Sequence, residues 1–595
     1  MRRGQITQLT LGGFQVFAER TTFPLAPITL VFGPNSAGKS AVLDALTVLR
    51  RYCGYFGSTE AASSGDLPSQ RLTTLLERHW RVERDPTPTL AQDVHLGVRV
   101  RLERSVWADS QSRQHTIEDA RRGSLARFEH VHEALAPWLA QGGDMDLELQ
   151  LQVSAPAALP LGGTFKDLPP FASLAQNFNR ARSRLYELPL SAKLSLANTP
   201  LLVLEEWCET SINTSHPAFA GRLDLEPLER LAANHPGQCT LVDGWFRHPG
   251  SLLADTGLSL FILQSALAED DDEDPEVGES ADACIDVADI FDAIWLPSVA
   301  AIHQALSSTE VHASRTTPSR RELTYFKDGV WPKAQDVDAG RMGLQLCGRP
   351  EYDLLAVGAL RASLTNADEL FNQKPSRPTQ DSIALDLVNR LLGEHLFKET
   401  GYFISAEVHE VRPIGQPKPP DQDSGPALAF GYLVTLVLED ANGRRFAFDE
   451  VGSGLGYVLP VLVALASSEL TLIQQPELHL HPALQAELAD ALISSIKGFD
   501  DQPNSAHASA GQRIIETHSE HLLLRMLRRI QQTAAGKQMP STLGLRRDDL
   551  VVLYVNPSAD GTSAIKHLRI AADGDFIDRW PRGFFEERWK ELFDE

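Results

Sequence analysis

Gly33, Pro34, Asn35, Ser36, Ala37, Gly38, Lys39 and Ser40 fit the pattern GxxxxGKS/T, and their types are those needed to hold phosphates. The glycines let backbone N–H groups wrap phosphate oxygens, Lys39 reaches the β and γ oxygens, and Ser40 offers a hydroxyl to Mg²⁺. A second stretch, LTLIQQPELHLHP from Leu470, ends an apolar run on Gln474 and Gln475. At the end of such a strand a nucleotide hydrolase places one carboxylate to organise Mg²⁺ and another to polarise water. Here both positions are amides, which hydrogen-bond a water but cannot take its proton. The nearest acids are Glu477 and Glu516, and each reads either as a substitute base or as a surface or capping acid. His479, His481, His518 and His521 carry HxH and HxxH spacing. That spacing suits a metal cluster, but no cysteine or third-ligand spacing accompanies it.

These residues need elements to position them. ITLVF, residues 28–32, is a buried strand running into the glycine-rich turn, and Val42, Leu43, Leu46 and Leu49 then repeat at helical spacing. The phosphate motif thus stands between a strand and a helix. Gln474 closes the strand LTLI; Pro482 suits the first turn of a helix whose buried face is Leu484, Leu488, Ala491 and Leu492. A third strand, RIIET, leads to Thr517 and His518, and Ser519 caps a helix buried through Leu522, Leu523, Met526 and Ile530. His518 therefore falls at a strand end, where ligand sites of open parallel sheets gather. Upstream, LVTLVLEDANGRRFAF predicts a hairpin turning at Asn442-Gly443.

Period-two alternation at Val94, Leu96, Val98, Val100 and Leu102, and again at Met145, Leu147, Leu149, Leu151 and Val153, predicts an antiparallel sheet with one wet face. From about Phe171 to Leu392 the pattern reads as helical, as at Ile383, Leu387 and Leu391. Within it EDDDEDPEVGE, 269–279, reads as a solvated loop, and SRTTPSRR, 314–321, as a charged turn or a contact for nucleic acid or phosphate.

A chain of 595 residues holds several cores. The expected divisions are 1–55 and 401–595 as two parts of one α/β head, 56–160 as a β-rich extension, and 161–400 as a mainly helical insertion with the acidic loop. No apolar run is long enough for a membrane span and no signal-peptide pattern opens the chain, so a cytoplasmic protein is expected. The five scattered cysteines lack a CxxC pair and read as reduced thiols. A net charge of −24 repels nucleic-acid phosphates overall and favours protein partners, although a local basic groove remains compatible with it.

Together, LAPITLVFGPNSAGKSAVLDAL, IQQPELHLHPALQAELADAL, IIETHSEHLLLRMLRRI and GDFIDRWPRGFFEERW resemble the OLD-like branch of the ABC ATPases, bacterial proteins commonly labelled AAA family ATPases. The resemblance covers roughly residues 1–55 and 430–595. It implies an ABC-type P-loop NTPase head assembled from both chain ends around a long insertion, as in SMC-like and RecF-like ATPases. It further implies ATP and Mg²⁺ as ligands, and a composite site in which the phosphate loop of one subunit faces the signature helix of another. By resemblance, residues Gly33 to Ser40 with Ala41 hold the nucleotide. Ser453 and Gly454 are the signature turn, and His518 is the switch histidine that senses the γ-phosphate. Gln474, a metal position, and Gln475, a catalytic one, stand where the family has Glu-Glu or Glu-Gln. Nuclease members carry a Toprim domain after the head. None is recognised here, so destructive activity is expected in a separate partner.

The function this suggests is a slowly hydrolysing ATPase acting as a homodimeric or higher-oligomeric switch, with an effector or toxin encoded nearby, in phage defence. The alternatives are a DNA-repair ATPase that clamps DNA, and a nucleotide-binding scaffold without turnover.

Overall fold

The computed structural model describes residues 4–55, 93–107, 143–153, 190–196, 199–209, 218–224, 240–241, 244–248, 284–285, 295–314, 324–327, 355, 380–411, 431–448, 450, 453–497 and 511–581. The acidic run 269–279 and the basic residues 315–321 lie outside them. The chain begins with β1 (Gln5–Gly12), β2 (Thr21–Pro24), β3 (Ile28–Phe32) and α1 (Ser40–Tyr55). Strands β4 (Val94–Glu103), β5 (Asp144–Val153), β6 (Leu190–Leu196), β7 (Thr199–Glu209), β8 (Ala218–Asp224), β9 (Thr240–Leu241), β10 (Gly244–His248) and β11 (Cys284–Ile285) follow. Next come α2 (Leu296–Ala305), β12 (Ser308–Val311), β13 (Thr324–Lys327) and α3 (Gln380–Leu391), which runs into a π-helical turn at Leu392–Leu396. After these lie β14 (Phe403–Val411), β15 (Gly431–Glu439), β16 (Arg445–Phe446), α4 (Ser453–Ser467) and β17 (Leu470–Gln474). The last elements are α5 (Pro482–Lys497), β18 (Gln512–Glu516), α6 (Glu520–Ala534), β19 (Leu550–Pro557) and β20 (Ser563–Leu568).

The fold is α/β and divides into two compact units. The first holds Met1–Ala26, Gly33–Ser307 and Leu553–His567; the second holds Pro27–Phe32, Ser308–Val552 and Leu568–Glu595. No helix among the described residues is long and apolar enough to cross a membrane.

In the first unit an antiparallel sheet runs β10-β8-β7-β6-β5-β4-β1-β2. β4 and β5 pair from Val94 opposite Val153 to Glu103 opposite Asp144, as the alternation predicts. Met145, Leu147, Leu149, Leu151 and Val153 are buried, while Arg101 on the other face meets Asp146 directly opposite through two bonds of 2.8 and 3.1 Å. Such exposed cross-strand pairs add only about 0.2–1 kcal/mol each, so apolar burial dominates the pairing. Cys53, in α1, is buried, and burial pushes its thiol pKa up, so it persists as a protonated thiol.

Between 161 and 400, where a mainly helical insertion is expected, much of the chain lies outside the described residues. Among the described residues this stretch holds the strands β6 to β13 beside two α-helices. Helical spacing at Ile383, Leu387 and Leu391 is right for α3. LSAKLSL in β6 alternates apolar and polar residues, and β6 completes its hydrogen bonds on β5, with Leu147 opposite Leu196. The β5 partners lie about forty to fifty residues earlier, beyond any local window.

The second unit has a parallel core in the order β12-β17-β18-β3, followed by β19, whose first three residues belong here. β3, from one chain end, thus lies beside β18 from the other, with Ile28 to Val31 opposite Arg513 to Glu516. Every residue of β3 and β18 is buried, as expected of parallel strands covered on both faces. Ser519 caps α6 by accepting the Leu522 N–H at 3.1 Å, and Leu522, Leu523, Met526 and Ile530 are its buried face. Each such burial is worth about 1.5–3 kcal/mol. The predicted hairpin forms between β15 and β16. Its connection runs from Asp440 to Arg444, with Gly443 at φ 75°, because the Asp440 carboxylate takes the N–H groups of Asn442 and Arg444 at 2.9 Å each and widens the turn.

Candidate functional site

The phosphate loop belongs to the first unit. It follows β3 directly and ends where α1 begins at Ser40, so the strand, loop and helix expected from sequence are in place. Its shape needs glycine. Gly38 has φ 92°, and a Cβ there would lie 2.2 Å from Val16 Cγ2; at Gly33, with φ 153°, a Cβ would lie 2.6 Å from the Val555 carbonyl oxygen. Ser36 is also left-handed, at φ 62°. Glycines with such φ values are what a loop needs if its backbone N–H groups are to wrap an anion.

Lys39 is 4% exposed, and its ammonium donates to the Pro34 carbonyl at 2.9 Å across the loop. The loop is braced from outside by residues that sequence reasoning did not select. Ser563 Oγ donates to the Ala37 carbonyl at 2.8 Å, and its N–H donates to the Val16 carbonyl at 2.8 Å. Gln15 reaches Asp44 on α1 at 2.8 Å. Ser563 and Ala37 are separated by 526 residues, and no local pattern signals that contact.

The other candidates lie in the second unit. Parallel pairing sets Gln474, Glu516 and Val31 side by side at the C-terminal ends of β17, β18 and β3. Gln474 Oε1 accepts the Ala313 N–H at 3.2 Å, which ties it to the chain just past β12. Gln475 adopts φ 46° and donates its N–H to the Glu516 carbonyl at 2.7 Å. Glu477 is engaged by the next strand: Oε2 accepts the Thr517 hydroxyl at 2.8 Å and Oε1 accepts the His518 N–H at 2.7 Å. Glu477 and the His518 backbone are therefore held together by hydrogen bonds. Glu516 is 6% exposed.

Ser453 opens α4, and Gly454 packs on the loop after β17: a Cβ there would be 3.0 Å from the His479 carbonyl oxygen. Tyr457, one turn on, stacks against the His479 ring with centroids 4.1 Å apart and planes at 33°. Among the described residues no group of three or more His, Cys, Asp or Glu is placed to hold a metal ion, so the histidines do not assemble the alternative cluster. From the C-terminal stretch, Trp580 lies edge-on to Phe32 at 5.6 Å, fixing that segment against the end of β3.

Residues 363–525 match the family model described as "AAA domain, putative AbiEii toxin, Type IV TA system". The matched segment holds Ser453, Gly454, Gln474, Gln475, Glu477 and His518; the phosphate loop lies outside it and stands on its own pattern and geometry. No curated protein matches the chain. Among solved structures, the SMC head domain from Thermotoga maritima aligns with a TM-score of 0.31 at 8% identity, over 95% of this chain and 100% of that one. The SmcHead bound to the C-winged helix domain of ScpA gives 0.32 at 12%, over 95% and 98%. The Smc head domain with an extended coiled coil, bound to the C-terminal domain of ScpA derived from Pyrococcus furiosus, gives 0.31 at 12%, over 99% and 98%. Similarity this loose does not bear on function. The chain thus joins a P-loop to an AAA-like segment in an α/β fold, an arrangement that supports nucleotide binding.

Proposed function

We propose that this protein binds ATP with Mg²⁺ at residues Gly33 to Ala41, hydrolyses it slowly, and acts as a dimeric nucleotide-dependent switch for a separate protein effector. The observation that carries the reading is the glycine-shaped loop between β3 and α1, with Lys39 inside it. Ser40 would offer a hydroxyl to Mg²⁺, which when bound neutralises phosphate charge; Gln474, at the end of β17, has only an uncharged amide oxygen where the resemblance implies a carboxylate. Slow turnover follows from the residues at the end of β17. Gln474 and Gln475 have no carboxylate, and each Glu477 oxygen already accepts a hydrogen bond. His518 at the end of β18 is the residue suited to sense a γ-phosphate.

The family description, with its toxin and Type IV TA system, supports a place in phage defence or mobile-element biology beside a partner. Loss of general-base help costs about 10²–10⁴-fold. Wild-type turnover is therefore expected well below about 1 per second, with Gln475→Glu raising it by about 10²-fold. Steady-state turnover of tens per second in the wild type would refute the slow switch. Complete absence of turnover beside intact ATP binding would favour the scaffold, which the two amides also suit.

Dimerisation is expected to depend on ATP, because Ser453 and Gly454 of a second copy would complete the γ-phosphate contacts and a bridging ligand shifts association by mass action. Light scattering should show the mass doubling with ATP and Mg²⁺. One unchanged monomer mass rejects it.

A further inference from the structure

Glu477 stands among the acids that sequence offers as a base, yet its surroundings give it different work. Its two oxygens hold the Thr517 hydroxyl at 2.8 Å and the His518 N–H at 2.7 Å, and the Ser519 N–H in turn donates to Thr517 Oγ at 3.0 Å. A carboxylate receiving one donor on each oxygen orients both. The loop it belongs to is held in an unusual form, with Gln475 at φ 46° and His479 at φ 61°, two left-handed residues that are not glycine. Such a conformation persists only where its surroundings over-determine it. Here the Gln475 N–H bond to the Glu516 carbonyl holds one end, and the His479 ring on Tyr457 holds the other.

We infer that Glu477 is a positioning residue that locks the Thr517–His518 turn to the loop after β17, and through His479 and Tyr457 to the first turns of α4. A change at His518 is then felt at Ser453 and Gly454. The inference rests on the proposed ATPase reading for its effect on turnover, but the tie itself is testable without nucleotide.

Hydrogen exchange of the full chain reads the tie. Glu477→Ala should speed exchange of the 512–520 segment by at least about tenfold while β3 keeps its protection, and Glu477→Gln should not. The glutamine still accepts the His518 N–H through its oxygen and donates to Thr517 Oγ through its nitrogen. Tyr457→Ala should also loosen 512–520. Steady-state ATP turnover reads the consequence: Glu477→Ala is expected to lower kcat about 10²-fold with little change in KM, and Glu477→Gln to lose only a few-fold. If glutamine is as damaging as alanine and both lose the acidic limb of the pH–rate profile, Glu477 is the base and the inference fails. It also fails if Glu477→Ala leaves exchange at 512–520 unchanged, and its extension to α4 fails if Tyr457→Ala does so. Exchange as expected with no turnover in the wild type upholds the tie and refutes the ATPase reading instead.

Discussion

Lys39→Ala is expected to abolish ATP binding, weakening it by at least about a hundredfold, roughly 3 kcal/mol. Lys39 is buried at 4% exposure and is the one cationic residue of Gly33 to Ser40, so no other side chain within the motif supplies its charge. Its ammonium donates to the Pro34 carbonyl at 2.9 Å, a neutral acceptor that phosphate oxygens readily replace because a charge-assisted bond is stronger. Alanine removes the charge and leaves the loop's glycine geometry, so binding should fall far more than stability. Calorimetric titration of ATP into the two proteins is the measurement. Equal affinities would show that residues Gly33 to Ser40 are only a turn, and the proposed function would fall with them.

The largest expected effect on stability is at Arg513, in the middle strand of the parallel core. It is 2% exposed, and among the described residues its guanidinium meets no carboxylate at bonding distance. Its guanidinium donates instead to the Ser495 hydroxyl at 3.0 Å and to the carbonyls of Ser468 at 2.8 Å, Leu465 at 3.1 Å and Ser495 at 3.2 Å. Leu465 and Ser495 lie in the last turns of α4 and α5, where carbonyls lack partners within the helix and the helix dipoles favour a cation. Burial pushes the guanidinium pKa down to about 9, which leaves it protonated at neutral pH. Arg513→Met keeps most of the volume but strands those carbonyls, each costing about 1–3 kcal/mol. Relief of the buried charge offsets part of this, so a net loss of about 3–5 kcal/mol is expected. Urea unfolding of the second unit should show it as a lower midpoint. A shift below about 0.5 kcal/mol would mean that water takes over the arginine's role.

What the sequence determined by itself is what short-range physics controls. The phosphate loop was legible because phosphate wrapping demands glycines and a lysine at fixed offsets, and the buried runs on either side have the periods of a strand and a helix. The α6 cap and its four buried residues follow from local hydrogen bonding and the 3.6-residue repeat, and they appear where expected. Gln474, Gln475 and His518 could be set at strand ends for the same reason. The partners of those residues needed tertiary structure. Glu477 and Thr517 are 40 residues apart and meet only because β17 and β18 pair in parallel, with Gln474 opposite Glu516. Sequence left Glu477 equally a base or a surface acid; the register decided that both its oxygens face the turn at His518. The role of Arg513 was hidden too, since an arginine opening an apolar strand looks exposed until the ends of two helices are folded against it. The strands β6 to β10 were missed because sheet pairing is settled by hydrogen bonds to distant neighbours, whereas helices close theirs within four residues and so declare themselves in the sequence.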